Sequence, residues 1–237
     1  MQIKPDKSLQ PQKFLEYEER PNKKILQTVL SIIKKPDLKI CDIGGASGVF
    51  LNEIINSSKY NINPVILEVN DYYKDKVVND KIEFKQGSIL DKDLRDNSYD
   101  IIIFRLTLHH IVSNSLKKTV LLQQRALKEI FRITKRGGYV IIEDQVIQIR
   151  LFSWLIYLFS KIANKLKLRI KYFDIENVIV RFLSQNEIHN IISHSKNNFN
   201  LKLIKYEYDR WITPLKWRFF ILLNNIGSVF YVIKVQK

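Results

Sequence analysis

The chain has 237 residues, 46% of them hydrophobic and 27% charged, enough apolar material for one sizeable domain without disulfides or metal staples. Its single cysteine, Cys41, excludes an internal disulfide, and its longest apolar run, ten residues from Leu151, is about half of what a bilayer span needs. The formal charge is +15, and residues 151–237, with 14 basic and 5 acidic side chains, carry +9 of it, which suits an anionic partner such as a phospholipid surface, nucleic acid or an acidic substrate.

The N-terminus has no basic start followed by an apolar core and a cleavage site, so a cytoplasmic location is expected. Residues 1–20 are polar, with two prolines, and read as an arm over the core. A helix is expected from Pro21, where Ile25, Leu26, Val29, Leu30, Ile32 and Ile33 keep helical spacing until Lys34, Lys35 and Pro36 stop it. "LKICDIG" from Leu38 is a short apolar run ending in glycine, as in a buried parallel strand. "NPVILEV" from Asn63, "IEFKQG" from Ile82, "YDIIIFRL" from Tyr99 and "GGYVIIED" from Gly137 continue the strand series. Helical patterns lie between them, the clearest from Leu116 to Ile133.

Strands alternating with helices imply right-handed crossovers and a doubly wound, mostly parallel sheet that binds ligands at the C-terminal ends of its strands. Beyond Asp144 the pattern changes to a hydrophobic, basic helix (Leu151–Leu168) and a second helix (Gln185–Ser195). Two strands close the chain, "NLKLIKYEY" and "GSVFYVIKV", expected to pair antiparallel at one edge. The whole reads as a single domain: an arm over 1–20, a ligand-binding core over 38–146, a helical lid over 151–195 and closing strands over 200–237.

Gly44, Gly45 and Gly48 fall within five positions, where a strand meets a helix. A ligand pressed against such a turn needs residues without a Cβ. Glu68 ends the second run twenty residues past Gly48, where a doubly wound fold places a carboxylate for the two hydroxyls of a ribose. Six of the seven glycines, Gly44, Gly45, Gly48, Gly87, Gly137 and Gly138, are expected in strand-end turns. The G-x-G-x-x-G spacing of a dinucleotide dehydrogenase is not present in "GGASG".

"ICDIGGASGVF", Glu68 in "VILEVND", "FKQGSIL", "YDIIIFRLTLHHI" and "LKEIFRITKRGGYVIIED" together resemble, in order and spacing, the motifs of class I S-adenosylmethionine-dependent methyltransferases, nearest to the type 11 group that includes quinone-biosynthesis enzymes. The resemblance covers about residues 38–146. It implies an α/β, Rossmann-like, seven-stranded methyltransferase fold and S-adenosylmethionine as cofactor. It further implies that Asp42 and the loop Gly44, Gly45, Ala46 and Gly48 hold the amino-acid end of the cofactor. Glu68 would hold its ribose, Gly87, Ser88 and Ile89 its adenine, and Arg105 and Leu106 would border the methionine part. Ala46 stands where the family usually has glycine, which a negative φ would accommodate. Ser88 stands where the family usually has the aspartate that accepts the adenine amino group.

Methyl transfer from a sulfonium needs alignment, exclusion of water and, for a hydroxyl or acidic carbon, removal of a proton. His109 and His110, past the fourth strand, and Asp144, at the end of the fifth, are the candidate catalytic residues. His189 and His194 stand five apart on a helix pattern without a third ligand, so no metal site is expected.

In the stretch from Leu151, Ser153, Ser160, Asn164 and Lys167 share one helical face, opposite Trp154, Leu155, Leu158, Phe159 and Ile162. Such a helix covers a substrate, contacts another subunit, or lies peripherally on a membrane over 151–168. "RWITPLKWRFFILL" interleaves Trp211 and Trp217 with basic residues, a composition that stacks and neutralises RNA, although no appended RNA-binding module follows. The expected activity is methyl transfer to a small acceptor, lipophilic or anionic. The alternative is an RNA-directed or non-catalytic cofactor-binding protein using the basic C-terminal region.

Overall fold

The computed structural model describes residues 23–91, 93–166, 179–211 and 226–236. In chain order these form α1 (Lys23–Ile32), β1 (Leu38–Ile43), α2 (Val49–Ser57), β2 (Ile62–Glu68), β3 (Glu83–Gln86) and β4 (Tyr99–Arg105). Then follow α3 (Leu116–Ile133), β5 (Thr134–Ile147), α4 (Arg150–Leu166), α5 (Gln185–Phe199), β6 (Leu201–Arg210) and β7 (Ile226–Val235). Short 3-10 turns stand at Asp71–Lys76 and Leu108–His110.

The seven strands make one sheet in the order β3-β2-β1-β4-β5-β7-β6. The first five are mutually parallel, while β7 runs antiparallel to both β5 and β6. This is the expected doubly wound sheet with an antiparallel edge. The order reverses between β1 and β4, and the crevice beyond the strand ends at that point is where such sheets bind ligands.

Strand periodicity divides the core in two. Cys41, Ile43, Val65, Leu67, Ile102, Phe104, Val140 and Ile142 face a cluster closed by Ala126, Leu127, Ile130 and Phe131 of α3 and Ile188, Ile191 and Ile192 of α5. Their alternates Ile40, Ile66, Ile101, Ile103 and Ile141 face a second cluster closed by Ile25 and Val29 of α1 and Phe50, Leu51 and Ile54 of α2. Both faces being covered explains why the inner strands are apolar at almost every position. Each fully buried aliphatic side chain contributes roughly 1.5–3 kcal/mol.

Helix starts are set locally. Ser115 caps α3, its hydroxyl accepting the Lys118 N–H. Ser184 and Glu187 form a reciprocal capping box at the start of α5.

Several expectations change. The arm over 1–20 and the helix start at Pro21 lie outside the described residues, as does the end of the helix expected to reach Leu168. Gly137 and Gly138 are not in a turn before β5 but inside it. The strand begins at Thr134, and its pairing with β4 shifts register between Tyr99 and Ile101. Among the described residues the crossovers from β2 to β3 and from β3 to β4 carry no α-helix, because segments such as "NDYYKDK" and "DKDLRDN" offer no apolar stripe for a helix to bury. Helix α5 is a core layer under the sheet and not part of a lid. The closing strands are likewise inseparable from the core, since β7 pairs with β5 from Tyr139 to Ile147.

Candidate active site

The loop after β1 is drawn in tightly. The Gly44 N–H donates to the Leu67 carbonyl of β2 at 2.9 Å, and the Gly48 N–H to Gly45 O at 2.8 Å. Gly44 has φ 73°, and a side chain there would run into the Thr107 hydroxyl; one at Gly45 would come within 2.8 Å of Asp42 Cγ. The absence of Cβ atoms at Gly44 and Gly45 is therefore required by close packing against Thr107 and Asp42. Asp42 itself is buried beneath this loop.

Ala46 has φ 44°, not the negative value expected from its side chain. Its N–H is among the backbone groups that hydrogen-bond the Glu68 carboxylate. Glu68, at the end of β2, is buried, and its Oε1 accepts the Asn70 N–H at 2.9 Å. Burial pushes its carboxyl above the ordinary 4.5, against the opposing pull of the Asn70, Ala46 and Val69 N–H groups. The carboxylate thus links the turns that follow β1 and β2.

At the end of β3, the Gly87 N–H donates to Glu68 O at 2.9 Å. The Ser88 hydroxyl accepts the Leu90 N–H, and the Ser88 N–H donates to Asp91 Oδ2 at 2.6 Å. An acid is therefore present at this turn, three residues beyond the position at which sequence comparison seeks it. Ile89 is buried in the core below.

Beyond β4, the Thr107 hydroxyl donates to the Arg105 carbonyl at 2.7 Å and lies 3.1 Å from the Ile43 carbonyl, tying the ends of β4 and β1 together. Arg105 pairs with Glu143 through Nε at 2.8 Å, its guanidinium 4.3 Å from the centre of the Phe50 ring. Leu106 is exposed at φ 48°, a strained backbone at the mouth of the crevice.

His109 and Asp144 come together. The Asp144 carboxylate accepts from His109 Nδ1 at 2.5 Å and from the His109 backbone N–H at 3.2 Å, and both residues are buried. In the neutral tautomer that donates Nδ1–H to this carboxylate, Nε2 keeps its lone pair. Asp144 lies within β5, three residues before its end, because pairing with β7 extends the strand to Ile147. The His109 ring stacks on Phe182, centroids 5.0 Å apart, and lies 4.1 Å from the ring of His110. The burial of His110 and the adjacent His109 hold its pKa well below the ordinary range, so it stays neutral.

Residues 181–183, which follow α4 in the fold, were not legible as part of this centre. The Arg181 N–H donates to the His109 carbonyl at 3.0 Å. Its guanidinium bonds Gln123 at 2.8 Å and Glu187 at 2.6 Å, and Gln123 Nε2 in turn donates to the carbonyls of Leu108 and Arg181. An Arg, a Gln and a Glu from three separate segments have no sequence spacing to betray them.

His189 and His194 are exposed on α5, and no cluster of three metal-ligating side chains occurs among the described residues. No described helix is long and apolar enough to cross a membrane. Of the basic, aromatic stretch from Arg210, all but Arg210 and Trp211 lies outside the described residues.

The family model described as a methyltransferase domain matches residues 14–202. Among curated proteins the sequence finds no match. A SAM-dependent methyltransferase from Methanosarcina mazei superposes with a TM-score of 0.61 at 17% identity, over 88% of this chain and 96% of that one. A candidate sarcosine dimethylglycine methyltransferase from Galdieria sulphuraria gives 0.61 at 13% identity, over 93% and 85%. The [4+2]-cyclase SpnF gives 0.58 at 10% identity, over 90% and 80%. With its sheet order, glycine loop and strand-end carboxylate in place, the chain belongs to the class I S-adenosylmethionine-dependent methyltransferases, and S-adenosylmethionine is its cofactor.

Proposed function

We propose that the protein transfers a methyl group to a small acceptor whose hydroxyl, acidic carbon or nitrogen loses a proton, with His109 as the base. The observation that carries this reading is the contact between Asp144, inside β5, and His109, in the turn after β4. The cofactor supplies, when bound, a methyl group on a sulfonium. The chain's residues fit it: the tight Gly44–Gly48 turn after β1 carries no side chain at Gly44, Gly45 or Gly48, and Glu68 offers its carboxylate to a ribose diol. Ser88 and Asp91 stand at the turn assigned to the adenine, and Asp91 supplies the acid that Ser88 replaces.

In this reading Asp144 holds His109 in the tautomer whose Nε2 accepts the acceptor's proton, and its charge stabilises the imidazolium that results. His110, held neutral in its buried setting, supports the His109 ring and takes no proton. Phe182, stacked on that ring, excludes water from one side. An acidic acceptor gains from the basic balance of the chain.

The test is transfer of label from methyl-labelled cofactor to a panel of small phenols, carboxylic acids and lipophilic hydroxyl compounds. His109→Ala is expected to lower transfer by about 100-fold or more while calorimetric affinity for the cofactor stays within about twofold of wild type. Undiminished transfer by the variant would remove His109 from the chemistry and leave it as a packing residue.

A further inference from the structure

Helix α4 is mounted with its apolar side outward. The residues it buries are Ser153, Tyr157, Ser160 and Ala163. Hydrogen bonds hold that side down. The Ser153 hydroxyl donates to the Phe182 carbonyl, the Tyr157 hydroxyl to Ser113 O at 2.7 Å, and Ser160 Oγ accepts the Val180 N–H at 3.3 Å. Small residues let the helix lie close on two loops, and the polar contacts prevent it from rolling over.

The opposite side carries Trp154, Leu155, Leu158, Phe159, Ile162 and Leu166, from 38% exposed at Leu158 to 60% at Leu166. At the helical period these fall within about 140° of arc. A soluble helix ordinarily buries such a stripe, and an exposed one marks a site of contact.

We propose that this face of α4 seats on an anionic phospholipid surface. The charge around it selects that occupant. From Gln145 to Leu166 there is no acidic residue, while Arg150, Lys161 and Lys165 are basic. On the helix itself, Arg150 and Lys161 stand along one edge of the apolar arc, Arg150 beside Glu187 and Lys161 donating to the Asn114 carbonyl, and Lys165 lies within the arc, where a lysine reaches past its apolar stem to a headgroup. The 17-residue helix is about 25 Å long, sufficient to lie in the interface and too short in its apolar run to cross it. The proposal does not depend on His109 acting as a base. It does place the apolar phase beside the segment, through Phe182, that packs on that histidine.

Cosedimentation with large vesicles of phosphatidylcholine containing about 30% phosphatidylglycerol tests it, against vesicles of phosphatidylcholine alone. Wild type is expected to partition at least about tenfold better onto the anionic vesicles, and the Trp154 emission to shift blue on binding. The double variant Leu158→Glu, Phe159→Glu, altered only at solvent-facing positions, should lose at least about tenfold of that binding while keeping cofactor affinity. Lys165→Gln should lose a few-fold, and salt should weaken wild-type binding. No partitioning by wild type, equal binding to both vesicle types, or undiminished binding by the double variant would each overturn the proposal. So would a wild-type dimer that the double variant splits and that ignores vesicles, since the face would then belong to a second copy of the chain.

Discussion

Ala46 holds a left-handed backbone that L side chains disfavour by about 1–2 kcal/mol. A hydrogen bond from its N–H to the Glu68 carboxylate accompanies that conformation. Ala46→Gly should therefore raise stability by about 1 kcal/mol, part of the relief being offset by the greater freedom of glycine in the unfolded chain. Urea denaturation measures this, and an unchanged or lower midpoint would show the loop to be unstrained.

Glu68 carries a second consequence. Its folded pKa lies above the unfolded value, so its ionisation costs stability as pH rises through the folded pKa, and that stability is present in full only below the unfolded value. A ribose diol needs the ionised form. Cofactor affinity should then weaken on acidification from about pH 8, beginning above the pH at which an ordinary carboxylate protonates. Glu68→Gln should bind at least about tenfold more weakly near pH 8 and show a flat pH profile in calorimetry. Equal affinity in wild type and variant would refute the ribose contact.

At the scale of elements, three pieces of chain meet at His109: the turn after β4, strand β5 at Asp144 and residues 181–183. Arg181 joins the last of these to α3 through Gln123 and to α5 through Glu187, with its side chain nearly fully buried. Removing one partner from a buried ion pair leaves the other charge uncompensated. Arg181→Met should cost about 3 kcal/mol in urea denaturation and loosen the Phe182 stack on His109. A loss within a few tenths of a kcal/mol would mean that Glu187 finds water instead. The two prominent helices of this region also divide their duties. Helix α5 buries Ile188, Ile191 and Ile192 under the sheet, whereas α4 turns its large apolar residues away from the protein.

For the whole molecule, alternating apolar runs and turns make the seven strands, their approximate ends and the parallel character of the inner five readable from the amino acids. A strand buried on both faces must be apolar almost throughout, and a strand-to-helix turn under a ligand must be poor in Cβ atoms. These are local demands, each met within a dozen residues, so Gly44, Gly45, Gly48 and Glu68 announce themselves in one dimension. The sign of φ at Ala46, the position of Asp144 inside β5 rather than at its end, and the turn acid at Asp91 depend on pairing and contacts made after the chain has folded. The same holds for the Arg181 network, whose members lie up to 64 residues apart in the chain, and for the outward face of α4. Periodicity shows that α4 has two faces; only the polar contacts of Ser153, Tyr157 and Ser160 with neighbouring loops decide which one meets the protein.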